Sequence, residues 1–243
     1  MRAAIIFKGR EARAVALLVR NQFKHDAKFR MAVLSIIPLT ILYLFMGLRE
    51  GSLSDPFVSR GAGFSQSLLL YLAVLMFPTM LKASLTNSDS YQASWIYYTT
   101  PADRGRLVLW SKNFVFVYFV LPYLAFISAV FLYFFRNPWH VLLHLTVLAL
   151  ISHFFLQIAV FFNPALPFSI PARKGQRSNS FILTIFFGPI LAIGLLYIFS
   201  RWVYPNTTLL FSVLAVMALA SWLGERALRL RVQRHTLSLE YQE

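Results

Sequence analysis

Residues 113–134 read NFVFVYFVLPYLAFISAVFLYF and, after the connection FRNPWH, residues 141–162 read VLLHLTVLALISHFFLQIAVFF. Neither stretch holds an Asp, Glu, Lys or Arg. At about 1.5 Å of rise per helical residue, about 20 such residues cross the ~30 Å hydrocarbon core of a bilayer. Four further apolar runs lie at 31–48, 67–81, 181–199 and 209–223, the shorter two needing an extra turn to cross. The nine acidic residues, Glu11, Asp26, Glu50, Asp55, Asp89, Asp103, Glu225, Glu240 and Glu243, all fall outside these six runs. The chain is therefore expected to be an all-α polytopic membrane protein with about six transmembrane helices.

The cations orient it. Arg2, Lys8, Arg10, Arg13, Arg20, Lys24, Lys28 and Arg30 precede the first run. Lys82, Arg104, Arg106 and Lys112 follow the second, Arg173, Lys174 and Arg177 the fourth, and Arg226, Arg229, Arg231 and Arg234 the sixth. Only Arg49, Arg60, Arg136 and Arg201 occupy the alternate connections. So uneven a split over short loops predicts both termini in the cytoplasm and an even number of spans. Trp95, Trp110, Trp139, Trp202 and Trp222 stand outside the runs or at their ends, where an amphipathic ring prefers the headgroup level.

A net charge of +14 raises nucleic acid as a partner, but these cations flank apolar spans and no soluble stretch exceeds about 35 residues. The lipid bilayer is the expected partner, nucleic acid is not, and residues 1–243 read as a single membrane domain. With no cysteine, thiolate metal sites and disulfides are excluded. The first apolar run follows a long basic lead-in, which predicts a retained span and no cleaved signal peptide.

Within residues 1–30, at about 100° per residue, Arg13, Arg20, Lys24 and Lys28 fall within about 80° of one another. Ala12, Val15, Ala16, Val19 and Phe23 gather on a separate face. This predicts an interfacial helix on the cytoplasmic leaflet, apolar face in the lipid and cations on the phosphates. The expected cytoplasmic tail is 224–243.

The connection 82–112 reads KASLTNSDSYQASWIYYTTPADRGRLVLWSK. Cap-forming residues precede a short helical pattern in which Tyr91, Trp95 and Tyr98 recur at i, i+4 and i+7, and Pro101 ends it. The expected product is a short helix with an aromatic stripe, anchored in headgroups or inserted into a groove on a soluble partner. Pro38, Pro78, Pro122 and Pro189 predict kinks in four spans. Ala215, Ala218, Ala220, Ser221 and Gly224 allow close helix approach, inside the subunit or across a dimer.

Motifs for chemistry are scarce. There is no phosphate-binding loop, nucleophile elbow or metalloprotease helix, and Gly61 and Gly63 lack the context of a nucleotide fingerprint. No catalytic residue, cofactor site or metal site is expected. In the fourth run, His153 and Gln157 are one turn apart and share a face, whereas His144 lies about 180° from His153. A neutral histidine hydrogen-bonded to a neighbouring helix is the leading expectation, and a substrate-facing patch with His153 and Gln157 as pathway residues is the alternative.

The order of these parts resembles the permease subunit of ATP-binding-cassette exporters of the ABC-2 kind. Tyr91-Gln92-Ala93-Ser94-Trp95-Ile96 with Pro101, followed by Arg104, Arg106 and Lys112, is similar to the A-S-W-I-x-x-x-P stretch of such permeases. The resemblance covers mainly residues 1–134. It implies a six-helix permease in a bacterial inner membrane, paired with a second permease copy or half and with cytoplasmic ATPase subunits that carry the ATP and Mg. The segment 91–98 would be the coupling helix, with Tyr91, Ser94, Trp95, Ile96 and Tyr98 docking on the ATPase. The chain itself would then be no enzyme, and an aromatic interior suits an amphipathic cargo. The rival expectation is a non-transporting membrane scaffold or assembly protein that recruits a cytosolic partner.

Reporter fusions at either terminus should behave as cytoplasmic, fluorescent as green fluorescent protein and inactive as alkaline phosphatase. The opposite result at either end would overturn the charge-based orientation.

Overall fold

In the computed structural model the described residues are 9–49, 53–59, 64–88, 91–100, 102–171 and 179–236; side chains are described within these except at 47–49, 64–67, 179–187 and 235–236. Arg2, Lys8, Glu50, Arg60, Gly61, Gly63, Asp89, Pro101, Arg173, Lys174, Arg177 and the tail beyond 236 lie outside the described residues.

Backbone groups in hydrocarbon must be satisfied within the segment, so the apolar runs become helices and proline decides where they break. After α1 (Arg10–His25), the first span divides at Ser35 into α2 (Ala27–Leu34) and α3 (Ile36–Arg49). The ring of Pro38 collides with the carbonyl four residues back, at Leu34, and the break falls there. A short α4 (Pro56–Ser59) leads to α5 (Phe64–Thr86), which carries Pro78 internally. Next come a 3₁₀ turn (Tyr91–Trp95) and α6 (Ile96–Thr99). The third span begins as α7 (Arg104–Val115), passes through a π turn (Phe116–Val120) and continues as α8 (Leu121–Phe135). Pro122 again accounts for the irregularity, because its missing N–H and its clash at Tyr118 fall inside the π turn. The remaining helices are α9 (Pro138–Phe162), α10 (Asn179–Ile198, followed by a π turn over Phe199–Val203) and α11 (Thr207–Thr236).

Among the described residues, five stretches are long and apolar enough to cross a membrane: Ala27–Met46, Leu68–Thr86, Arg104–Phe135, Pro138–Phe162 and Thr207–Arg234. The apolar stretch Gly188–Val203 is shorter and lies where the fifth sequence run was expected. The molecule is an all-α integral membrane protein. The strands among the described residues are a single parallel pair, β1 (Asn87–Ser88) with β2 (Ile170–Pro171). Helix ends differ most from the sequence runs. The last helix continues through Glu225 to Thr236, where a tail was expected to begin at 224, and the third starts at Arg104, nine residues before its apolar run. A helix does not stop where hydrocarbon stops, so hydropathy locates the membrane part and not the element.

Helices α5 and α9 form the centre: α5 packs on α2, α3, α9 and α10, and α9 also meets α8 and α11. Of the α5 span 61% is buried, against 11% of the α11 span, which places α11 at the periphery. Connections sort into two ends. At one, Gln22 of α1 donates to Ser88 Oγ (3.2 Å), β1 pairs with β2, and Phe168, at φ 53°, donates its N–H to Leu85 O (2.7 Å). At the other, Asp55 caps α4 and lies 2.5 Å from His140 Nδ1 at the start of α9, while Phe57 packs on His140 and Tyr204. Such grouping is what helices crossing alternately produce.

The first helix differs from expectation in one respect. It is amphipathic, but its apolar face (Ala12, Val15, Ala16, Val19) is buried in protein, with α7 its main neighbour, rather than turned to lipid. Glu11 also reaches Arg106 at 3.6 Å. An apolar face is satisfied by any apolar surface, so the pattern alone does not choose between protein and lipid. Val19 is fully buried. Val19→Asp should therefore release α1 and speed its proteolysis, whereas Asn21→Asp, on the exposed face, should leave cleavage unchanged.

Candidate functional site: a buried polar seam and an exposed aromatic knob

Three helices bring polar side chains together where α7, α9 and α11 meet. Lys112 comes from α7, His153 and Gln157 from α9, and Ser221 and Glu225 from α11. Lys112 Nζ lies 2.6 Å from Glu225 Oε2, with the lysine side chain 0% and the glutamate 17% exposed. His153 Nδ1 hydrogen-bonds Ser221 Oγ (2.8 Å), and its Nε2 faces the Lys112 ammonium at 3.4 Å. Since an ammonium can only donate, Nε2 is the acceptor and Nδ1–H the donor to Ser221. Gln157 Nε2 donates to the Ser221 carbonyl (2.8 Å) and lies 3.4 Å from Glu225 Oε2. A Cβ at Gly224 would stand 3.0 Å from Gln157 Oε1, so the glycine admits Gln157, which settles its close approach as one within the subunit.

Glu225 follows the apolar run 209–223, as expected, but the helix that carries this run continues past it, and Glu225 is paired there with the buried Lys112. An apolar-run criterion ends each span at its first charge, so it cuts at the two residues that pair. His153 and Gln157 do share a face, converging on Ser221, whereas His144 bonds elsewhere: its Nδ1 lies 2.6 Å from Tyr204 OH. Burial holds the Tyr204 phenol well above its ordinary pKa, so it stays protonated beside the imidazole. No group of three His, Asp or Glu residues able to hold a metal occurs among the described residues. The seam is not a Ser–His–acid relay either, because the second nitrogen of His153 faces a cation.

At the end where α1, β1 and β2 meet, the segment 91–99 is built differently from the expected single stripe. Its first half is 3₁₀, turning about 120° per residue, so Tyr91 and Trp95 do not align as i and i+4 of an α-helix would. Ser94 is buried, Tyr91 and Tyr98 are half-buried, and Trp95 and Ile96 stand out at 54% and 47% exposure. Tyr97 and Tyr98 pack against the core, Arg104 sits over the Tyr98 ring at 5.3 Å, and burial raises the Tyr97 phenol pKa. Thr100 is extended (φ −94°, ψ 147°), as a residue preceding proline should be. Asp103 then accepts from Arg106 N (3.1 Å) and starts α7. The knob is thus Trp95 and Ile96, held from beneath by their neighbours.

The fold and these features define a helical polytopic membrane protein with a charged interhelical seam and a protruding aromatic knob. Comparison with known proteins finds no family model, no curated protein and no solved structure that matches the chain.

Removing one member of a buried ion pair leaves an uncompensated charge, at a cost of about 3–5 kcal/mol, whereas replacing both with apolar residues is often neutral. Lys112→Met and Glu225→Leu should each lower thermal stability in detergent by that order, and the double variant should recover most of it.

Proposed function

We propose that this chain is the membrane-spanning permease subunit of an ATP-binding-cassette exporter of the ABC-2 kind. It resides in a bacterial inner membrane with both termini cytoplasmic and α1 along the cytoplasmic leaflet. A second permease copy or half pairs with it, and a separate cytoplasmic subunit binds ATP and Mg and performs the hydrolysis. The docking surface is the segment 91–98, with Trp95 and Ile96 as its anchors and Tyr91, Ser94 and Tyr98 as its support.

The observation that carries this reading is the exposed Trp95–Ile96 pair on a short helix just ahead of a span. Solvent-facing Trp on a braced helix is the kind of residue that dominates protein interfaces when a partner covers it. The absence of a phosphate-binding loop in this chain supports a borrowed ATPase. The exposed arginines and lysine of α1, Arg10, Arg13, Arg20 and Lys24, face away from its buried stripe, which supports contact with anionic headgroups.

The test is reconstitution with a cassette ATPase that co-purifies with the chain in mild detergent. Trp95→Asp should abolish the complex and lower coupled ATPase activity by about tenfold or more, given that hot-spot losses reach about 2 kcal/mol. Full coupled activity in that variant, or pumping by this chain alone on an ion gradient, would overturn the proposal. A complex that forms but never turns over faster with the permease present would favour the scaffold reading.

A further inference from the structure

The lower half of the third span has the build of a lever. It begins at Asp103, seven residues after Ile96 and beyond the extended Thr100, and ends at the π turn Phe116–Val120, with Pro122 behind it. Widened hydrogen bonding in a π turn and the missing donor of proline make this the weakest point in bending along the 32-residue span. Lys112 stands one turn below that point. Phe116, the first residue of the π turn, meets the His153 ring edge-on at 4.9 Å, so hinge and seam share a neighbour.

The ion pair Lys112–Glu225 joins the lever itself to α11, with Leu228 and Val232 buried in the turns that follow Glu225, while His153 and Gln157 tie α9 to Ser221; only 11% of the α11 span is buried. Surrounded by lipid, apolar side chains gain little by meeting another helix instead of acyl chains, so the ion pair and its hydrogen bonds decide whether the seam is closed.

We infer that Lys112–Glu225 is a conformational latch. Closed, it holds α7 against α11; open, α7 swings about the π turn and the seam between α7, α9 and α11 parts at the knob end. This deepens the permease proposal and rests on it for what drives α7, since the knob stands just ahead of that helix in the chain. The latch and its hinge are properties of this chain alone and are tested as such.

The chain contains no cysteine, so paired spin labels can be introduced without background. Labels at Arg106 and Leu230, both exposed, report the separation of α7 from α11, and labels at Tyr133 and Trp202, also exposed, report the opposite end. In nanodiscs of phosphatidylethanolamine and phosphatidylglycerol, the parent should show one narrow distance at each pair. Glu225→Gln, and Lys112→Met, should add a longer population at the first pair only, and Lys112→Glu/Glu225→Lys should restore the single distance. Glu225→Asp, which shortens the reach but keeps the charge, should give an intermediate population and serves if the neutral variants do not fold.

Unchanged distances in all single variants, or broadening of both pairs together, would overturn the latch. A shifted first pair together with failure of any cassette ATPase to bind would refute the permease reading and leave the latch standing.

Discussion

Hydrocarbon gives apolar side chains no reason to prefer one another over lipid, yet it penalises every unsatisfied polar group, and the arrangement of this protein follows from that asymmetry. Several polar contacts within the spans tie together two elements. Thr40 donates to Ile36 O (2.6 Å) and so accepts from Tyr123 OH (2.7 Å), joining α3 to α8. His144 joins α9 to Tyr204 in the connection before α11, and Lys112, His153 and Gln157 join α7 and α9 to α11. Apolar packing then fills the space these bonds define, most densely around α5 and α9.

The same asymmetry gives the two ends different characters. At the Asp55–His140 end the connections are short and capped: Asn137 accepts from Trp139 N (3.0 Å), Arg136 turns the chain at φ 55°, and Asn206 accepts from Leu209 N (3.1 Å). At the other end α1, the β1–β2 pair, the knob and the start of α7 lie side by side on polar connections. Lys82 donates to the Asn163 carbonyl there, placing a cation at the C-terminal end of α9, where the helix dipole favours it. Arg231 does likewise at Phe161 O (3.0 Å) while lying over the Phe161 ring.

Mechanically, the knob, α7, the π turn and the Lys112–Glu225 pair lie in one line along the chain. Glu11 of α1 reaches Arg106, so the first helix braces the lever near its base. A push on Trp95 and Ile96 therefore has a stiff element to travel along and a defined place to be absorbed. Pro122 supplies the bend, and the ion pair supplies the resistance.

The class of the elements was legible in the residues themselves, because an apolar run in a lipid solvent satisfies its backbone only as helix. The knob segment was legible from its Tyr, Trp and Pro spacing, and so was the shared face of His153 and Gln157, which depends only on helical period. Three things were not. Hydropathy ended the spans before Lys112 and Glu225, since a charge reads as a boundary until its partner is known to be within reach. The apolar stripe of α1 carried no mark of whether lipid or α7 would cover it. The 3₁₀ geometry that separates Tyr91 from Trp95 is a local choice of hydrogen bonding that residue spacing does not encode. Period and polarity are properties of a single segment and sequence determines them; pairing across helices is a property of distance between segments, and only the tertiary structure decides it.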